Sequence, residues 1–259
     1  MSSREFPLKP TQDLASFIAR TTLDTIPDKV VEKSKWLIID GIGVTLGGYR
    51  QIGEKILLFV ETLGGEPTST IMGSGHRISG PLAAYANGAM SHFLDYDDIN
   101  KNMGGHPTGP VLSAVLAVGE LDEAAGEDLL LAYILGIETE TKIGRAIIHS
   151  LYGSGWHPTA VLGNLGAAAA CSKLLHLNTR ETLMALGIAV STSSGIKQNF
   201  CTMVIPLHIG QAAKNGVMAA MLAKSGWVAD EHILEGDFGF CNLFCGKDTY
   251  DLNLSLIHI

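Results

Sequence analysis

Apolar residues recur at spacings of three and four along most of the chain, which predicts one helix after another. Leu14, Phe17 and Ile18 share a face of a short helix over 11–22. From Pro27 onward Val31, Ser34, Leu37, Ile38, Gly41 and Val44 fall on one stripe, and the Gly47-Gly48 pair is expected to end that helix. A third helix is expected over 52–63, closed by Gly64-Gly65. Residues 68–72, Thr-rich and β-branched between Pro67 and Gly73, are the best strand candidate. Helical spacing resumes at 81–94, 107–121, 128–149, 158–175, 179–190 and 209–225, and 230–234 holds a turn or two. Asn178 is the expected N-cap of the 179–190 helix. The 158–175 segment carries Gly163, Gly166 and four consecutive alanines from Ala167 to Ala170, so neighbours can close in on it and it should be central. There is no βαβ alternation and no regular repeat, so the expected class is all-α.

Composition agrees with that picture. The chain has 259 residues, 46% of them hydrophobic and only 17% charged, enough for one large domain or two small ones with much of the chain buried. A net charge of −8 and the lack of any basic run exclude a nucleic-acid surface, which needs clustered Lys and Arg. Cys171, Cys201, Cys241 and Cys245 are too few for a disulfide framework, and Cys241 and Cys245 lack the second pair that zinc would want, so buried free thiols are expected. The first residues hold no apolar leader and no apolar run reaches membrane-spanning length, so a cytoplasmic protein with no membrane contact is the expectation. Residues 254–259 read like a translated sequencing adapter. The natural chain is expected to continue beyond 253, and these residues, His258 included, are left out of any site.

The chemistry concentrates around Leu94-Asp95-Tyr96-Asp97-Asp98-Ile99-Asn100, followed by His106-Pro107-Thr108. His157-Pro158-Thr159 repeats the His-Pro step, and His208 follows Pro206-Leu207. Proline is well tolerated in a first helical turn, so each histidine is expected at or near a helix N-terminus, where free N–H groups favour anions and a lowered imidazole pKa. If those ends meet, they make a site for a carboxylate, lined by imidazoles and Asp95. Three neighbouring acids cannot all face one pocket, so Asp98 is expected to cap or pair. A metal site of Asp and His is the rival reading, but no ligand spacing in the sequence is diagnostic of one, and no metal is expected. His76, His92, His149, His176 and His232 read as structural or surface residues.

Ser91-His92-Phe93-Leu94-Asp95-Tyr96-Asp97-Asp98, Gly105-His106-Pro107-Thr108, Trp156-His157-Pro158-Thr159 and Pro206-Leu207-His208-Ile209-Gly210-Gln211-Ala212-Ala213-Lys214-Asn215-Gly216 resemble, in this order, the motifs of the MmgE/PrpD family, which includes 2-methylcitrate dehydratase, cis-aconitate decarboxylase and iminodisuccinate epimerase. The resemblance runs from about Leu14 to Phe240. It implies a large helical domain over 1–253, truncated before an α+β lid domain, in a homodimer that needs no metal or organic cofactor. It implies that Asp95, His106 and His157 are catalytic, Asp95 matching the first aspartate of the family's L-D-x-D-D-T motif. Two positions depart: Ile99 stands where the family usually has Thr, and Ile205 where most members have Lys. With His208 as an anion contact and Lys197 as a stand-in cation, these four are the expected substrate-binding positions. The implied function is a lyase of the 2-methylcitrate dehydratase type. It would act on a small hydroxy or unsaturated carboxylic acid, with fewer charges than the usual substrates, by proton abstraction next to a carboxylate. An isomerase, an epimerase, a decarboxylase or a non-catalytic helical scaffold are the alternatives, and the fragment itself is expected to be inactive.

Overall fold

α6 (Pro158–Leu174) is buried along its whole length except at Lys173, as expected for a helix that is apolar or small on every side. The computed structural model describes residues 9–256, and around α6 it places α4 (Thr108–Leu121), α5 (Gly126–Gly153), α7 (Thr179–Ser191) and α8 (Val204–Lys224). α1 (Pro10–Arg20) packs on α7. α2 (Asp28–Leu63) lies on α3 (Gly80–Ser91), which in turn packs on α4 and α8. The short α9 (Phe240–Cys245) and α10 (Asn253–Leu256) rest on α5. The expected class is therefore observed, with the expected helix at its centre. The expected strand shrinks to β1 (Ser69–Thr70), paired antiparallel with β2 (Arg77–Ile78). Residues 230–234 form turns without helix. Among the described residues no helix is long and apolar enough to cross a membrane. Cys171, Cys241 and Cys245 are buried thiols as expected, whereas Cys201 is exposed. Residues 257–259, and so His258, lie outside the described residues.

The largest departure is α2. The Gly47-Gly48 pair does not end it, and one helix of 36 residues, about 54 Å at 1.5 Å per residue, runs from Asp28 to Leu63. The glycines mark a crossing instead of a stop: a Cβ on Gly48 would stand 1.9 Å from the Met90 carbonyl oxygen. Glycine costs a helix interior about 1 kcal/mol, which the close approach of α3 offsets.

The same device sets the site. α3 and α8 touch backbone to backbone, since a Cβ on Gly210 would lie 2.3 Å from the Tyr85 carbonyl oxygen and one on Gly88 3.0 Å from Gly210 Cα. This contact brings the C-terminal end of α3, with His92, beside the N-terminal half of α8, with His208. Asn178 caps α7 through a capping box, accepting from the Glu181 N–H at 3.0 Å while the Glu181 carboxylate accepts from the Asn178 N–H at 2.9 Å. Among the described residues Thr139 Oγ1, Asn164 Oδ1 and both oxygens of Glu140, which is fully buried on α5, have no hydrogen-bond partner. Burial, and to a smaller degree the charge of Asp98, push the Glu140 carboxyl well above the usual carboxylate range.

Candidate active site

His92 is the C-cap of α3, and the chain then turns back on itself through Asp95, whose φ of 53° lies in the left-handed region. That reversal tucks Asp97 under the end of α3, where its carboxylate is almost wholly buried. The Nδ1 of His92 lies 2.9 Å from each Asp97 oxygen. A carboxylate only accepts, so the His92 Nδ1 carries the proton and Nε2 is free.

His106 approaches the same acid from the other side. It sits two residues before the start of α4, and its backbone N–H donates to Thr159 Oγ1 at 3.0 Å, which ties it to the first turn of α6. Its Nδ1 is 3.3 Å from Asp97 Oδ1 and 3.3 Å from the Asp97 carbonyl oxygen. Burial tends to raise the Asp97 pKa, but hydrogen bonds from His106 and His92 and their charge outweigh it and hold the carboxyl down at about 2. Burial would likewise lower the His106 pKa, and the bonds and charge of Asp97, with a smaller contribution from Asp95, raise it instead. The helix-end argument, which expects a depressed value here, loses to a carboxylate in direct contact.

His157, the N-cap of α6, follows the expected direction. Burial first, then the neighbouring His208, His92 and His106, lower its pKa to about 3. Its backbone N–H donates to the Gly195 carbonyl oxygen at 3.0 Å and its ring stands edge-on to Phe200. Its Nδ1 is 3.2 Å from Nδ1 of His208, which lies one turn inside α8 because that helix begins at Val204, earlier than the spacing predicts. Burial and His92 lower the His208 pKa too.

The structure thus brings Asp95, His106, His157 and His208 to one cluster, and His92 joins them. The His92 ring centroid is 4.6 Å from that of His106 and 6.2 Å from that of His157. Sequence reasoning reads His92 as structural. The available signal was its position three residues before Asp95 and five before Asp97, at the end of a helix. Asp98 behaves as expected and accepts the Thr108 N–H at 3.2 Å, capping α4. Asp95 is the exposed member, its Oδ1 3.7 Å from His106 Nε2 and 4.0 Å from His92 Nε2. His92, Asp95, Asp97 and His106 each offer a ligand atom, all within 4.8 Å of one another, so the four are also a candidate metal set.

A depression of about 330 Å³ opens beside the cluster, lined by His92, Phe93, Asp95, Cys201, Met203 and Ile205 among others. His106, His157 and His208 do not line it, but Nε2 of His106 lies 3.7 Å from Oδ1 of the lining residue Asp95. Ile205 is therefore on a wall, as the substrate-binding expectation requires. Ile99 is exposed on the loop after Asp98. Lys197 is not on the wall: its ammonium donates to the Tyr152 carbonyl oxygen at 3.0 Å and lies 3.3 Å over the Tyr152 ring, complementing the negative C-terminal end of α5.

Comparison with known proteins converges on the family that the motifs resemble. A model of the MmgE/PrpD N-terminal domain matches residues 12–253. The cis-aconitate decarboxylase of Mus musculus is 33% identical over 252 residues, covering 93% of this chain and 51% of that protein. The cis-aconitate decarboxylases of Homo sapiens and Aspergillus terreus are each 33% identical, over 240 and 245 residues, covering 89% and 90% of this chain and 49% and 50% of those proteins. The chain spans about half the length of the curated relatives it matches.

Proposed function

The chain belongs to the MmgE/PrpD family, and from that footing we propose that it forms the imidazole-bearing part of a lyase that decarboxylates a small unsaturated carboxylic acid. Dehydration of the 2-methylcitrate kind is the runner-up, since both reactions move a proton at a carbon next to a carboxylate. The names of the relatives favour loss of CO2. The observation that carries the reading is the mixed lining of the depression. His92 and Asp95 share it with the apolar side chains of Phe93, Met203 and Ile205, and Ile205 stands where the family usually has a lysine. An apolar wall disfavours a carboxylate and does not disfavour the neutral CO2 it becomes, provided the reacting group faces that wall.

In this scheme the C–C bond to the departing carboxylate breaks and CO2 leaves. The bond's electron pair shifts into the neighbouring double bond, and a proton adds to the carbon at the far end of that system. His106, kept protonated by Asp97, donates the proton and recovers it from water. His157 stays neutral and serves as a hydrogen-bond partner that adds no charge. Asp95, exposed and within 4 Å of both Nε2 atoms, orients the imidazoles.

The test offers the complete gene product 13C-labelled cis-aconitate, 2-methylcitrate and an unsaturated dicarboxylate, and follows CO2 release and water loss separately. The expected result is CO2 from an unsaturated acid, reduced at least 100-fold in His106→Gln and in His157→Ala. Water loss without CO2 selects the dehydratase reading. Turnover that survives both His157→Ala and Asp95→Asn removes these roles, and carboxylate binding without turnover points to a scaffold.

A further inference from the structure

The hydrogen bonds around Asp97 do more than hold a proton. The Asp97 carboxylate takes Nδ1 of His92 at 2.9 Å and faces Nδ1 of His106 at 3.3 Å, which leaves the Nε2 of each ring pointing away from it, with the ring centroids 4.6 Å apart. Asp95 Oδ1 lies 4.0 Å from one Nε2 and 3.7 Å from the other, and a ligand atom of each residue falls within 4.8 Å of the rest. A carboxylate behind each imidazole, holding the Nδ1 proton so that the metal displaces only a proton from Nε2, is the arrangement that supports metal-binding histidines. Around a tetrahedral zinc with bonds near 2.0–2.1 Å, ligand atoms sit roughly 3.3 Å apart. Both separations exceed that by less than 1 Å. The adjustment falls on Asp95, whose side chain is 76% exposed, while the two imidazoles stay where Asp97 holds them. A fourth position would open toward the depression, on whose wall Cys201 also stands.

We propose that His92, His106 and Asp95 bind a divalent transition-metal ion, with zinc the preferred occupant, and that the bound ion stops turnover by occupying the proton-carrying nitrogen of His106. The binding stands on the geometry alone, and the inhibition rests on the lyase reading. Imidazole nitrogen with one carboxylate oxygen selects zinc, cobalt or nickel over magnesium and calcium, which prefer all-oxygen sets. An ion there takes the Nε2 lone pair of His106, and with it the atom that would carry the proton.

The experiment strips the protein with a chelator and titrates it with cobalt(II), reading the visible ligand-field bands, then displaces cobalt with zinc and measures zinc by calorimetry. One equivalent is expected, with magnesium failing to compete. Asp95→Ala should weaken zinc at least 10-fold, and so should Asp95→Asn, which suits the left-handed φ of 53° and so keeps the chain reversal. His92→Ala should weaken it at least 100-fold, Asp97→Asn about 10- to 100-fold, and His149→Ala not at all. Absence of a cobalt spectrum at one equivalent, or binding that survives both Asp95→Ala and His92→Ala, overturns the site. Full turnover with zinc bound overturns the inhibition alone. Zinc binding in a protein with no lyase activity keeps the site and removes only the proposed reaction.

Discussion

The Nδ1 atoms of His157 and His208 stand 3.2 Å apart, so one must donate and the other accept. Two protonated rings cannot share that contact, and the pair carries at most one proton between the two facing nitrogens.

His157 should therefore remain neutral through the physiological range. Its folded pKa, about 3, lies below the ordinary imidazole value near 6.5, so its contribution to stability is complete above about pH 6.5. Below that the unfolded chain binds a proton that the folded one refuses, and this group costs about 1.4 kcal/mol per pH unit until pH approaches 3. Imidazole NMR of the labelled protein should show no titration of His157 between pH 8 and 5. A midpoint near 6.5 contradicts the burial argument.

Asp97→Asn removes the charge that raises the His106 pKa while keeping the shape. The His106 midpoint should move down, and any turnover should lose its alkaline limb first. Asp97→Ala, which leaves two imidazole donors unpaired in a buried place, should also destabilise the fold by about 1–3 kcal/mol in urea. Asp97 helps stability above about pH 4, and that help fades as pH falls toward its folded pKa of about 2. An unchanged His106 midpoint in Asp97→Asn would mean that this carboxylate is not what holds the proton.

Gly210→Ala and Gly43→Ala should act in opposite directions. At Gly210 the new Cβ meets the Tyr85 carbonyl oxygen at 2.3 Å, whereas at Gly43, mid-α2, it meets nothing within 4 Å. Gly210→Ala should cost about 1–3 kcal/mol and disturb the imidazole signals of His92 and His208. Gly43→Ala should gain about 0.5–1 kcal/mol and disturb neither. Equal effects from the two would remove the crossing from the account of the site.

Ile205→Lys should restore a cation to the wall of the depression. If the apolar wall sets substrate charge, affinity for tricarboxylates should rise roughly 10-fold, the scale of one charge-assisted hydrogen bond, while a less charged acid gains little. Lys197→Ala should change KM less than twofold, because its ammonium already serves Tyr152. A tricarboxylate KM that rises in Lys197→Ala would return that lysine to the binding site.

Glu140→Gln should steepen no pH profile. The wild-type carboxyl has a raised pKa, so the unfolded chain releases its proton first, and stability falls by about 1.4 kcal/mol per pH unit above about 4.5 until the folded group ionises. The variant lacks that slope and should gain on the wild type as pH rises above about 4.5. Parallel stability curves would show that Glu140 is paired in solution.

Helix periodicity and composition made the fold largely legible before any coordinates. The all-α class, the central position of α6 and the Asn178 cap follow from local spacing, whereas the grouping of Asp95, His106 and His157 is an expectation carried by the family resemblance. What spacing could not supply was partnership across the fold. Gly47-Gly48 reads identically as a stop signal or as room for Met90, and only α3 lying against it decides. His92 looks inert until Asp95 turns left-handed and swings Asp97 back beneath it. His106 escapes the helix-end rule because the Asp97 carboxylate, folded back from earlier in the same α3–α4 connection, outranks a partial dipole.

The Gly88–Gly210 contact divides the labour of the depression. Main chain pressed on main chain leaves α3 and α8 no freedom to slide, so the spacing between His92 and His208 is as rigid as the scaffold itself. The rest of the lining includes side chains from the segment before and at the start of α8, Cys201, Met203 and Ile205, which can be exchanged without touching that backbone contact. Such a cavity can be retuned for the molecules it admits while the reactive apparatus stays in register.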